Sequence, residues 1–202
     1  MAAQFLFKVV SSYALLVSAT PITSSIAAAP PGASMAQPPI FAGSGCAGDT
    51  DASWSGGVDS LTLVYPVLSG KTGPGISISD SRHNCQFVFD IAYPDNYQYS
   101  VSSVSYAGAA SLDAGGTATP SGLSYFSGGT PQITWSTTLT GPYNGGYSAV
   151  YTPSAADTVW SPCGGGDSLL DVNSVALANR NAQVAGSVTV SNATVSLQWR
   201  TC

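Results

Sequence analysis

Residues 85–91 read Cys85-Gln86-Phe87-Val88-Phe89-Asp90-Ile91, and residues 195–199 read Val195-Ser196-Leu197-Gln198-Trp199. In both, a large apolar side chain takes every second position, the period of a strand that buries one face; a helix would space them three and four apart. The alternation recurs in Leu61, Leu63, Tyr65 and Val67 and in Ile133, Trp135, Thr137 and Leu139. Between these runs stand turn-forming clusters: Gly73-Pro74-Gly75, Pro94-Asp95-Asn96, Gly115-Gly116, Gly128-Gly129, Asn144-Gly145-Gly146, Gly164-Gly165-Gly166 and Ser191-Asn192-Ala193. About eight to ten short strands at this spacing predict an all-β protein, an antiparallel β-sandwich in preference to a barrel. Only Ser168 to Arg180 admits a helix, through Leu169, Val172 and Ala176, but its Asp, Asn, Ser and Val are poor helix formers and a strand fits as well.

Outside these runs the 202-residue chain changes character. Phe5 to Ala19 is apolar with a single charge, Lys8, and two small-residue sites follow at Val17-Ser18-Ala19 and Ala27-Ala28-Ala29. This predicts a secretory signal peptide over residues 1–29, cleaved near Ala19 or Ala29. A membrane anchor would need about 20 uninterrupted apolar residues, and Ser11, Ser12, Ser18 and Pro21 break the run. Residues 30–44, with Pro30-Pro31-Gly32 and Pro38-Pro39, have no period and read as a flexible arm. Residues 45–202 read as a single secreted β domain, extracellular or cell-wall associated, with no membrane span in the mature chain.

The four cysteines, Cys46, Cys85, Cys163 and Cys202, all fall in that domain. An even count behind a secretion signal reads as two disulfides, and no CxxC pair suggests metal. Three pairings are possible; Cys46 with Cys85 and Cys163 with Cys202 is preferred, because each ties a chain end to a strand in its own half.

Composition removes several chemistries. All ten acidic residues are Asp and the only histidine is His83. A glycosidase using paired Glu, a zinc site with two or three His and an HExxH protease therefore lack their residues. A net charge of −5 argues against nucleic acid as a partner, and no cofactor motif is legible.

An ordered set of short segments carries a resemblance. Gly45-Cys46, Gly73-Pro74-Gly75 leading to Asp80-Ser81-Arg82 and Asn84-Cys85-Gln86, Ala110-Ser111-Leu112-Asp113-Ala114-Gly115, Gly141-Pro142-Tyr143-Asn144-Gly145, Trp160-Ser161-Pro162-Cys163-Gly164 and the terminal Leu197-Gln198-Trp199-Arg200-Thr201-Cys202 resemble the secreted fungal and bacterial domain-of-unknown-function family numbered four-three-six-zero. The resemblance implies a small secreted protein with these four cysteines as landmarks, and brings no catalytic residue with it.

Candidate sites are few. Asp80-Ser81-Arg82-His83 gathers an acid, a hydroxyl, a guanidinium and the imidazole, but a catalytic triad converges from separate segments, so a polar turn with Arg82 paired to Asp80 is the preferred reading. Asp49-Thr50-Asp51 reads as a solvated acidic loop, since it lacks the other oxygen ligands a calcium loop needs. Tyr97 and Tyr99 follow the Pro94-Asp95-Asn96 turn, and Tyr143 and Tyr147 flank Asn144-Gly145-Gly146. They are candidate binding residues if their rings stand at loop tips, while alternation along a strand accounts for them equally well. Trp54, Trp135, Trp160 and Trp199 are assigned to the core or the disulfide surroundings. Asn192 in Asn192-Ala193-Thr194 is the acceptor sequon, expected at a hairpin tip between Val188–Val190 and Val195–Trp199 and glycosylated in a eukaryotic host. The function expected is non-enzymatic binding of a polysaccharide or a surface protein; the alternatives are a hydrolase using Asp carboxylates or the His83 turn, and a structural secreted component.

Overall fold

A computed structural model describes residues 28–164, 169–179, 181 and 183–202; the signal peptide read at residues 1–29 lies outside this range but for its last two residues, as do Asp167 and Arg180. In chain order the strands are β1 (Ser34–Met35), β2 (Ile40–Ala42), β3 (Asp51–Trp54), β4 (Ser60–Val64), β5 (Ser69–Thr72), β6 (Arg82–Phe89), β7 (Ile91–Ala92), β8 (Tyr97–Leu112), β9 (Thr117–Ala118), β10 (Ser121–Phe126), β11 (Gln132–Ser136), β12 (Leu139–Thr140), β13 (Tyr143–Tyr151), β14 (Leu170–Leu177) and β15 (Gly186–Thr201). Among the described residues one 3-10 turn, Ile78–Ser81, precedes β6. All pairings are antiparallel. One large sheet runs β11-β10-β14-β6-β2; the other runs β13-β8-β15-β4-β3, with β5 also pairing β15. The β-sandwich expected from the alternation is the fold observed.

Alternating apolar residues place one face of each sheet inward. Phe87 opposes Val172, which opposes Ser124, and Leu61 opposes Val195, which opposes Val104. The segment for which a helix was weighed is the central strand β14, where Leu170, Val172 and Ala176 are buried. The stretch read as a flexible arm supplies β1 and β2, paired with β7 and β6. Phe41 on β2 lies 5.5 Å from Phe87, so an apolar contact pins a segment whose composition alone suggested none.

Two turn signals do not make turns. Asn144-Gly145-Gly146 lies inside β13, and Ser191-Asn192-Ala193 inside β15. The expected hairpin at Asn192 is therefore replaced by one continuous strand paired along its length with β8. The register slips at Ser191, an extra residue in β15, and again at Ser102, an extra residue in β8. Each bulge flips the buried phase: Val188 and Val190 give way to Ala193, Val195, Leu197 and Trp199, and Tyr99 and Val101 give way to Val104, Tyr106, Ala110 and Leu112. Asn192 stays exposed on the outer face, so the sequon remains accessible, at mid-strand.

The core closes around aromatic clusters. Tyr99 packs on Trp199 at 5.0 Å and edge-on to Phe126 of the opposite sheet at 5.3 Å. The Tyr65 and Ser174 hydroxyls share a buried 2.8 Å hydrogen bond across the sandwich. Gly122 lets the Trp135 indole lie across the strand, and Gly108 leaves room for Tyr147, whose hydroxyl donates to the Thr189 carbonyl at 2.7 Å. Both disulfides form as preferred, Cys46–Cys85 and Cys163–Cys202.

Candidate functional site

The residues named from sequence do not gather at one place. The Ser81 hydroxyl donates to the Ile78 carbonyl at 2.7 Å, inside its own 3-10 turn, and His83 Nδ1 donates to the Ser69 carbonyl at 2.6 Å. Asp80 is exposed, and among the described residues no ion pair joins it to Arg82, so Asp80-Ser81-Arg82-His83 makes neither a triad nor the expected ion pair. Several carboxylates serve structure: Asp171 accepts from Gln86 at 2.7 Å and Ser127 at 2.6 Å, and Asp59 accepts from the Ala29 amide at 2.7 Å. In the Asp49-Thr50-Asp51 loop, Thr50 accepts the Ala47 amide and Asp51 the Ala52 amide. Among the described residues no three His, Cys or Asp side chains cluster as metal ligands.

Of the four candidate tyrosines, Tyr99 is fully buried and Tyr147 nearly so. Their rings are not displayed at loop tips because both lie on the inner phase of their strands, Tyr99 opposite Trp199 and Tyr147 opposite Gly108. Burial raises the pKa of both phenols. Tyr97 and Tyr143 are half-buried against the core, and the Tyr143 hydroxyl donates to the Gly146 carbonyl at 2.7 Å.

The outer face of the six-stranded sheet is a different surface. Thr62, Thr194 and Ser105 lie in one row across three strands, and Ser60, Ser196 and Ser103 in the next, so its middle is neutral and rich in hydroxyls. At one end this face deepens into a cleft of about 350 Å³. After β13 ends at Tyr151 the chain makes a loop and returns to the edge of β8, where Trp160 bridges to Ser100 and the Ser161 amide donates to the Tyr99 carbonyl at 2.8 Å. This puts the indole over the outer face, half-buried, in the surroundings of the Cys163–Cys202 disulfide rather than in the core, the second of the two places expected for it. Arg200 of β15 lies against that indole, its Cζ 3.8 Å from the ring centroid. With the Gln98 amide assigned in the orientation that its neighbours require, its oxygen accepts from Arg200 Nε at 2.8 Å and Nη2 at 3.0 Å, and its NH2 donates to the Ser161 carbonyl at 3.2 Å. Gln198 and the bulge residue Ser102 also line the cleft, walled by Thr152, Pro153, Ala155 and Thr158. The wall is tied to itself by Ser154 donating to Asp157 and Thr158 donating to the Ser154 carbonyl.

The family described as a domain of unknown function (DUF4360) matches residues 38–202, most of the chain and all of the sandwich from β2 onward. The chain belongs to this family. This DUF4360 protein is 35% identical over 147 residues to an uncharacterized secreted protein of Arthroderma benhamiae, a match covering 71% of the chain and 60% of the relative's length. With two disulfides closed, the protein is a secreted, extracellular one. Among solved structures, TmCBM61 in complex with beta-1,4-galactotriose aligns over 82% of this chain and 89% of its own with 9% identity and a TM-score of 0.28. The enzymatically active domain of bacteriophage CBA120 tailspike protein 4 aligns over 89% of this chain and 20% of its own, with 9% identity and a TM-score of 0.26. Neither likeness bears on what the DUF4360 protein binds.

Sequence reasoning missed Arg200, Gln198, Gln98 and Ser102 of the cleft. Arg200 and Gln198 sit in the polar phase of Val195-Ser196-Leu197-Gln198-Trp199-Arg200, which the alternation marks only as facing solvent. One signal was available: the phase break around Ser102 in β8, where a bulge re-aims side chains.

Proposed function

We propose that this DUF4360 protein is a non-enzymatic extracellular module that binds a polysaccharide, at a cell wall or on another organism's surface, in the cleft between Trp160, Arg200 and the loop following β13. One observation carries the reading. An indole, a guanidinium lying over it and neutral hydroxyl and amide groups line one open cleft, formed between the outer face of β8 and β15 and the loop that follows β13. About 350 Å³ accommodates one or two sugar rings. A second polar cleft at the opposite end of the face is lined by Ser111, Asp113, Tyr143 and Asn144, but the Tyr143 hydroxyl is already committed to Gly146.

The test is depletion from solution by a panel of insoluble polysaccharides. The wild-type protein should be retained by at least one of them, Trp160→Ala should lose that retention while keeping its melting temperature within a few degrees, and Tyr143→Ala should keep it. Retention by none of the panel, or retention that survives Trp160→Ala, would overturn the proposal.

A further inference from the structure

Arg200 stands out for what does not neutralise it. The chain has ten Asp residues against five Lys and Arg, so a surface guanidinium has carboxylates in excess to pair with. Among the described residues Arg200 nevertheless has no carboxylate within ion-pair distance. Asp157, in the loop that follows β13 but not among the residues lining the cleft, accepts from the Ser154 hydroxyl on its Oδ2 at 2.6 Å. The contacts Arg200 does make are neutral: the Trp160 ring on its face, and the Gln98 carbonyl oxygen on its Nε and Nη2. They hold the guanidinium between the indole and the Gln98 side chain, and among the described residues no carboxylate compensates its charge.

The contacts are also one-sided. A guanidinium presents two forked edges, one of Nε with Nη2 and one of Nη1 with Nη2. Gln98 takes the first, leaving the second, whose two parallel N–H groups match the two oxygens of a carboxylate. Around it the cleft offers only neutral partners, Ser102, Thr152, Thr158 and Gln198, suited to sugar hydroxyls.

Resting on the polysaccharide reading above, we infer that the sugar selected by this cleft carries a carboxylate, and that Arg200 is the residue that reads it. The net charge of −5 restricts the ligand further. A dense polyanion is repelled by the molecule as a whole, whereas an isolated acid on an otherwise neutral chain meets mainly the groups within a screening length of about 8 Å. The ligand is therefore a neutral polysaccharide bearing scattered uronic acid residues.

The experiment follows the Arg200 Nε–H and Trp160 indole N–H signals of the ¹⁵N-labelled full-length secreted protein during titration with methyl β-D-glucuronide, methyl β-D-glucoside, sodium acetate and sodium sulfate. Both signals should move with the glucuronide, with an affinity about tenfold or more above that for the other three, the size of one charge-assisted contact. Arg200→Gln should reduce the glucuronide response to the glucoside level, and Arg200→Lys, which keeps the charge without the fork, should fall between. A glucuronide bound no more tightly than the glucoside overturns the acid inference, while polysaccharide retention would leave the binding-module reading standing. Acetate or sulfate equal to the glucuronide reduces the site to a bare anion contact and likewise overturns it. No response to any probe together with no retention removes both. The wild-type comparison decides the matter even if a substitution at Arg200 fails to fold.

Discussion

Removing the Cys163–Cys202 bridge should open the cleft before it unfolds the sandwich. Cys163 lies three residues after Trp160 and Cys202 two residues after Arg200, so the bridge clamps together the two segments whose side chains stack at 3.8 Å. It closes a span of 39 positions, for which the chain-entropy treatment gives about 4 kcal/mol of stability in Cys163→Ala/Cys202→Ala. The Cys46–Cys85 bridge spans the same 39 positions, so its entropic contribution is equal. Cys85 is fully buried, however, and truncating it leaves a void that adds about 1 kcal/mol to the loss. With a urea dependence of about 2 kcal/mol per molar, the two double variants should drop in midpoint by about 2 and 2.5 M. Their effects on binding should separate more sharply, with retention lost from Cys163→Ala/Cys202→Ala in the absence of denaturant and kept by Cys46→Ala/Cys85→Ala as long as it is folded. Mild reduction should show the same order by thiol labelling, because Cys163 and Cys202 are exposed and Cys85 is not. Simultaneous reduction of both bridges, or unchanged retention after loss of Cys163–Cys202, would refute the view that this bridge organises the cleft.

Three other outcomes follow from the packing. Burial raises the phenol pKa of Tyr65, Tyr99 and Tyr147 above the ordinary 10.0, so above that pH the unfolded chain ionises first and binds fewer protons than the folded one. Stability should then fall by up to about 1.4 kcal/mol per pH unit for each tyrosine, with absorbance at 295 nm and loss of CD rising together; complete phenol titration near pH 10 in a folded protein would contradict their burial. A Cβ at Gly108 would run into the Thr189 carbonyl and the Tyr147 hydroxyl, so Gly108→Ala should cost about 2 kcal/mol or more by thermal melting, whereas Gly48→Ala, with open space around it, should stay within about 0.5 kcal/mol. An endoglycosidase should remove mass from Asn192 of protein made in a eukaryotic host; because Gln198 lies about 20 Å further along β15, retention on polysaccharide should be the same before and after treatment.

The sandwich was legible because burial writes itself into one face of every strand. Phe87, Phe89, Val195 and Trp199 each sit on the inner phase that the alternation assigns to them. Turn residues were less informative. Gly115-Gly116 and Gly128-Gly129 do end strands, but Asn144-Gly145-Gly146 and Ser191-Asn192-Ala193 have the same local preference and are held extended by β8 alongside. In β15 the sequence held the corrective: Val188 and Val190 occupy even positions, and Ala193, Val195, Leu197 and Trp199 odd ones. A hairpin has no need of that shift in phase within one sheet face, whereas a single inserted residue produces it. Tyrosines near a turn were likewise overruled by phase, which places Tyr99 with Val101 on the buried side. The cleft was hidden for the converse reason. Periodicity speaks only of the face that leaves water, and a binding surface made of Ser102, Gln198 and Arg200 has the composition of any solvated strand face. What distinguishes it is a contact between residues 40 positions apart, Trp160 and Arg200, created when the chain after β13 returns to the edge of β8. Local pattern has no term for such a meeting, so the site emerges only when tertiary structure brings the indole, the guanidinium and Gln98 together.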